Sequence, residues 1–154
     1  MSQRPINVLF VCHGNICRSP MAEFVFRDMV EKRGLADRFH IESAATTNEE
    51  IGNPVHHGTV KRLAREGISC AGKHARRITQ ADYDTFDVIV GMDEANMRSM
   101  LRTWKNDPAG KVHKMMEFAG TTRDVADPWY TGDFDATYDD IHDGCLGLLG
   151  WLGL

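Results

Sequence analysis

The sequence predicts an α/β fold: a single-domain open sheet of four parallel strands, with helices on both faces and an anion-binding loop after the first strand. Two observations carry that expectation. Short apolar, β-rich runs alternate along the chain with stretches whose apolar residues recur at helical spacing, the pattern of a parallel sheet covered on both sides. In addition, "VCHGNICRSP", Val11 to Pro20, gathers turn-forming and polar residues where the first such run meets the first helical stretch. Open sheets of this kind bind ligands beyond the carboxyl ends of their strands, so that junction is where an anion site belongs.

The elements follow in order. Residues 5–11 are a continuous β-rich run and form the first expected strand. Ser19 as N-cap and Pro20 at the first helical position open a helix with Met21, Phe24, Val25 and Met29 on one face, ended by Gly34. Residues 38–45, "RFHIESAA", suit a second strand. Asn53 as cap and Pro54 at the first position start a second helix with Val60, Leu63 and Ala64 inward and Gly67 as its stop. "TQAD", Thr79 to Asp82, fits a capping box opening a short helical turn. Residues 86–92 read as a third buried strand, and Asp93 caps a helix carrying Met97, Met100, Leu101 and Trp104 on one side. Residues 111–118, "KVHKMMEF", give the fourth strand. A loop, "AGTTRDVADPWYTGD", then leads to an amphipathic helix with Phe134, Tyr138, Ile141, Cys145, Leu148 and Leu149. Gly144, Gly147, Gly150 and Gly153 should each weaken that helix by up to about 1 kcal/mol relative to alanine, and a frayed tail is the expectation they suggest.

A chain of 154 residues is long enough to bury a substantial core and is expected to form one domain over residues 1–154. Its net charge of −4 and the lack of a basic run give no support for nucleic-acid binding. Arg4 precedes an apolar run of only about seven residues with no small-residue cleavage site after it. The apolar tail "CLGLLGWLGL" is roughly half a membrane span, so no membrane association is expected. Cys12, Cys17, Cys70 and Cys145 form no C-x-x-C pair and show no zinc spacing with histidine. Neither a metal nor a cofactor is therefore expected. Reduced thiols in the cytoplasm are the natural setting without a secretory signal, and Cys70 and Cys145 read as small core residues.

Chemistry concentrates in Cys12 to Ser19. A loop between a strand end and a helix start can turn several backbone N–H groups inward as a nest for an oxyanion. Gly14 permits close approach or a positive φ, and Asn15 tolerates the left-handed region and can brace the turn. The planar fork of Arg18 matches two phosphate oxygens. Beneath such a positive cavity Cys12 is favoured as thiolate and placed to attack phosphorus. The Ser19 hydroxyl can stabilise the sulfur when it leaves again, giving covalent catalysis through a phosphocysteine. A bare C-x5-R arises easily by chance. The full string, with a separate task for each residue at a strand–loop–helix junction, is far more specific.

"VCHGNICRSPMAE" resembles the signature of the low-molecular-weight protein tyrosine phosphatases, and the likeness continues through "SAA", "ARRIT", "FDVIVGMDEAN" and "DPWY". The resemblance implies a four-stranded parallel sheet, a cytosolic location, no metal, and hydrolysis of phosphotyrosine-containing proteins or small aryl phosphates through a phosphocysteine. It implies a general acid in the D-P motif, here Asp127 stiffened by Pro128, and an aromatic wall at Trp129 and Tyr130. His13 and Ile16 would face the mouth, and Ser43 matches a position that supports the asparagine. Cys17 would act as redox partner, trapping an oxidised Cys12 as a disulfide.

Two departures stand out against that family pattern. Glu49 falls where many relatives carry an aromatic residue, so one wall of the cleft is expected to be missing and Glu49 and Glu50 to stand at the entrance, where they would repel acidic phosphopeptides. Lys73 falls where relatives often have a histidine bracing the loop, with His74 one position off, so that role is not transferred. An arsenate reductase of similar fold would need two further cysteines close together after the third strand, and Cys70 and Cys145 do not supply them. A phosphocysteine phosphotransfer subunit is disfavoured by Arg18 and Asp127, which promote transfer to water, and the same intact machinery argues against a mere phosphate-recognition module.

Overall fold

The computed structural model describes residues 4–154. The start of the chain weighed above as a leader includes Met1–Gln3, which lie outside the described residues. Four strands, β1 (Ile6–Cys12), β2 (Phe39–Ala45), β3 (Val88–Gly91) and β4 (Val112–Lys114), form one parallel sheet in the order β2-β1-β3-β4. Six α-helices are described: α1 (Arg18–Lys32), α2 (His57–Ala64), α3 (Gln80–Thr85), α4 (Glu94–Thr103), α5 (Pro128–Thr131) and α6 (Phe134–Trp151). Side chains alternate across a strand, and β1 shows it directly. Val8, Phe10 and Cys12 join the core that includes Met21, Phe26, Ile141 and Leu148 of α1 and α6. Leu9 and Val11 join the opposite core with Tyr83, Met100 and Trp104. Chain direction through the sheet reverses at β1, whose neighbours are β2 on one side and β3 on the other. That switch point opens a crevice beyond the strand's carboxyl end, and Cys12 is its last residue.

Two boundaries differ from expectation, each for a non-local reason. The second helix begins at His57, with His56 Nδ1 accepting from Gly58 N at 3.0 Å, because residues 52–54 are held extended. Gly52 N donates to Ala75 O, Ala75 N to Asn53 O, and Pro54 bridges to His74. Leu63 is buried as expected, but Thr59 and Arg62 are its buried companions, while Val60 and Ala64 face outward. The fourth strand is only three residues long, since the chain turns into a 3-10 segment at Met115–Ala119 that buries Met115 and Met116. The capping boxes at Thr79 and Asp93 are both present.

The C-terminal glycines have a packing reason and the tail is not frayed: α6 runs to Trp151. A Cβ on Gly147 would stand 1.9 Å from the Phe118 carbonyl oxygen, and one on Gly144 would stand 2.4 Å from Met115 Cε. The helix lies directly against the 115–119 segment only because these side chains are missing. No helix among the described residues is long and apolar enough to cross a membrane.

Candidate active site

The segment from Cys12 to Ser19 wraps the end of β1 into the start of α1. The left-handed residue is Asn15, at φ 59°. Gly14 serves close approach instead, since a Cβ there would meet Glu50 Cγ at 3.2 Å. Asn15 N and Ser19 N both donate to the Cys12 sulfur, at 3.3 and 3.4 Å, and the Ser19 hydroxyl lies 3.1 Å from it. Helix α1 begins at Arg18, two residues before the expected first position at Pro20, and among the described residues no side chain caps it. Ser19 is therefore not the N-cap. Its hydroxyl serves the sulfur, and an N–H group of the first turn, which in most helices seeks a cap, points there too.

Behind the loop lies a buried polar chain. Asn15 Nδ2 donates to Ser19 Oγ at 2.8 Å and to Ser43 Oγ at 2.9 Å, and Asn15 Oδ1 accepts from Arg76 N at 3.2 Å. Ser43 in turn donates to Glu23 Oε1 at 2.5 Å. Glu23, 2% exposed, is paired with Arg27 at 2.7 Å and Lys73 at 3.3 Å, and Lys73 Nζ also donates to Ser43 O at 2.8 Å. Sequence reasoning left Lys73 without a role. It stands in the brace itself, while His74 is exposed and faces its own turn through Gly72 O. Burial pulls the Lys73 pKa down, only partly offset by Glu23. The available signal was Glu23, a carboxylate amid the buried face of α1 next to Met21, Ala22, Val25 and Phe26.

Arg18 is 2% exposed. One nitrogen donates to Asp93 Oδ2 at 2.8 Å and to Val125 O at 2.9 Å, and the other reaches Asp127 Oδ2 at 3.4 Å. Burial pulls its pKa down, and the Cys12 sulfur, Asp93 and Asp127 more than reverse this, so the guanidinium stays charged. Asp93 was read only as a helix cap. It does both, Oδ1 accepting from Asn96 N while Oδ2 holds Arg18. Asp127 caps the short helix α5, accepting from Trp129 N at 3.1 Å, with Pro128 at the first position.

A cleft of about 140 Å³ brings most of the candidates together: Cys12, His13, Gly14, Ile16, Cys17, Arg18, Glu49, Asp127, Trp129 and Tyr130 all line it, joined by Glu50. Asn15, Ser19 and Ser43 do not line it and lie buried behind the loop. Trp129 is half exposed, its ring set edge-to-face with that of His56 at 5.6 Å between centroids, and Tyr130 is 84% exposed. Glu49 stands at the mouth, as the sequence placed it, paired with His13 at 2.6 Å. Burial, with Cys12 and Asp127 adding to it, pushes the Cys17 thiol up to about 12. Cys70 and Cys145 are buried away from the cleft. No group of three or more His, Cys, Asp or Glu arranged to hold a metal occurs among the described residues.

A model of the low molecular weight phosphotyrosine protein phosphatase family matches residues 7–153. The low molecular weight protein-tyrosine-phosphatase YfkJ of Bacillus subtilis is 43% identical over 148 residues, covering 94% of each chain. The human low molecular weight phosphotyrosine protein phosphatase is 37% identical over 145 residues, 91% of this chain and 89% of its own. The crystal structure of YfkJ superposes with a TM-score of 0.94 at 40% identity, covering 98% of this chain and 96% of that one. The Drosophila arginine phosphatase has a TM-score of 0.85 at 28% identity, over 96% of this chain and 98% of its own. A sulfur at the sheet's switch point, an arginine over it and an aspartate facing them thus accompany a match along nearly the whole sequence, and the chain belongs to the low molecular weight phosphotyrosine protein phosphatase family.

Proposed function

We propose that the protein hydrolyses phosphomonoesters, with phosphotyrosine in proteins and small aryl phosphates as its substrates, through a phosphocysteine on Cys12. The observation that carries this reading is the sulfur itself, which faces two backbone N–H groups and a hydroxyl beneath a guanidinium. Arg18 and the loop amides take the non-bridging oxygens of the phosphate, the geometry in which Arg outperforms Lys. The Cys12 thiolate attacks phosphorus, the ester P–O bond breaks, and the Asp127 carboxylic acid gives its proton to the leaving oxygen. Asp127, now carboxylate, removes a proton from water as the water oxygen attacks phosphorus. The S–P bond breaks, and the sulfur leaves as thiolate into the bonds from Asn15, Ser19 and the Ser19 hydroxyl. His13, Gly14 and Ile16 border the oxyanion site, and Ser43 supports Asn15 from behind.

Trp129 and Tyr130 present flat faces to a phenolic ester, while Glu49 and Glu50 disfavour acidic flanking residues. Cys17 lines the same cleft and is assigned the redox role: after peroxide converts Cys12 to a sulfenic acid, the Cys17 sulfur attacks it and water leaves. The reaction belongs to the cytoplasm, where a reduced cysteine persists.

A panel of phosphotyrosine peptides, phosphoarginine peptides and aryl phosphates tests the assignment, the second class being included because a structural relative is an arginine phosphatase. Cys12→Ser should abolish turnover of every substrate. Asp127→Ala should lower turnover by about 10²–10⁴-fold while retaining substrate capture. Undiminished hydrolysis by Cys12→Ser would overturn the reading.

A further inference from the structure

Asp127 has little regular structure to hold it. Residues 121–127, between the 3-10 segment and α5, have no helix or strand, and most of their side chains are exposed. Their anchorage comes from elsewhere. Val125 N donates to Met92 O, Arg18 donates to Val125 O, and the Thr137 hydroxyl donates to Ala126 O. Upstream of these, Arg123 pairs with Asp140 of α6 at 2.6 Å, and a lysine gathers the residues on either side of it. Lys114, the last residue of β4, has only 11% of its side chain exposed. Its ammonium reaches Asp124 Oδ1 at 2.6 Å, Thr122 O at 2.7 Å and Glu94 Oε1 at 2.9 Å.

An ammonium has three donors and no acceptor, and all three of its donors find oxygens here. Two of those oxygens belong to the loop and the third to the first residue of α4. Asp124 Oδ1 closes the arrangement by accepting from Glu94 N at 3.2 Å. The neighbouring residue, Asp93, is the one that holds Arg18. The start of α4 therefore grips the loop on one side and the phosphate-binding arginine on the other, with Lys114 as the clasp. Burial pulls the lysine's pKa down, and Asp124 and Glu94 more than offset it, so the clasp remains charged.

We propose that Lys114 is a positioning residue for the proton donor: by tying Thr122 and Asp124 to the start of α4 it fixes where the loop delivers Asp127. This rests on the reading of Asp127 as general acid. Misplacement of a reacting group by about an ångström can cost on the order of a hundredfold in rate. The ties at Arg123, Val125 and Ala126 remain when Lys114 is lost, so a smaller effect is expected.

A general acid matters most when the leaving group is poor, and that distinguishes positioning from general destabilisation. For Lys114→Met, kcat/KM for phenyl phosphate should fall roughly tenfold relative to 4-nitrophenyl phosphate, because nitrophenolate needs little protonation to leave. Lys114→Arg should recover part of the loss. Asp124→Asn removes the charge at the half-exposed loop end of the clasp, where the carboxylate meets both Lys114 and Glu94 N, and should shift the same ratio in the same direction if Lys114→Met does not fold. An unchanged ratio in the folded variant, or equal losses for both esters, overturns the proposal. Asp127→Ala is run alongside: if it shifts the ratio while the Lys114 and Asp124 variants do not, Lys114 alone is misassigned. If Asp127→Ala leaves the ratio unchanged, the acid assignment fails and the proposal falls with it.

Discussion

The two segments that meet over Cys12 are built in opposite ways. The phosphate loop is buried, and its polar groups are satisfied through contacts reaching inward: Asn15 to Ser19, Ser43 and the Arg76 amide, then onward to Glu23 and Lys73. The segment bearing Asp127 is exposed, and it is tied to the body by its flanks. A phosphate group has one shape, so its receptor gains from rigidity fixed before binding. The proton donor must serve first an ester oxygen and then water, and needs a surface open to both. Interior polar bonds thus hold the oxyanion site, and peripheral ion pairs hold the donor.

If that contrast is right, damage to the buried brace should appear as lost stability as well as lost activity. Asn15→Ala should have the largest effect. It puts an alanine at a left-handed φ and strands the Arg76 amide, for a loss of about 3 kcal/mol read as a lower urea midpoint. Lys73→Met comes next, at about 2 kcal/mol, because Glu23 keeps Arg27 and Ser43 but loses a charged donor. Chemical denaturation with phosphate present should show the lysine variant gaining less from phosphate than the wild type. A urea midpoint unchanged by both substitutions would remove the distinction between the segments.

The smallest expected effect on stability is that of Cys17→Ser, whose consequence is chemical. A thiol pushed up to about 12 is protonated at neutral pH, so Cys17 should resist iodoacetate near pH 7 and label only as the pH climbs toward that value. Peroxide inactivation should be reversed by dithiothreitol in the wild type and poorly in Cys17→Ser, when recovered activity is expressed against each protein's own starting rate.

Features whose partners are nearby in sequence were legible without the structure. The strand–loop–helix junction and the capping boxes at Thr79 and Asp93 are written locally, while Asp127, Trp129, Tyr130 and Glu49 were placed at the cleft through the family resemblance. What escaped depended on remote partners. Pro54 looked like a helix start because its pairing with His74 crosses a turn. Lys73 was expected to leave the bracing position without its histidine and Lys114 drew no expectation, and only the packing shows each ammonium sunk among oxygens.

The bare flank of α6 reaches further than its own contact. Gly144 and Gly147 let the Met115–Ala119 segment settle onto the helix backbone, and that segment runs directly into the stretch bearing Asp127. A single methyl at position 147 would wedge the two apart from below. The height at which the proton source rides over the sulfur is thus gauged by a helix that lends no residue to the cleft.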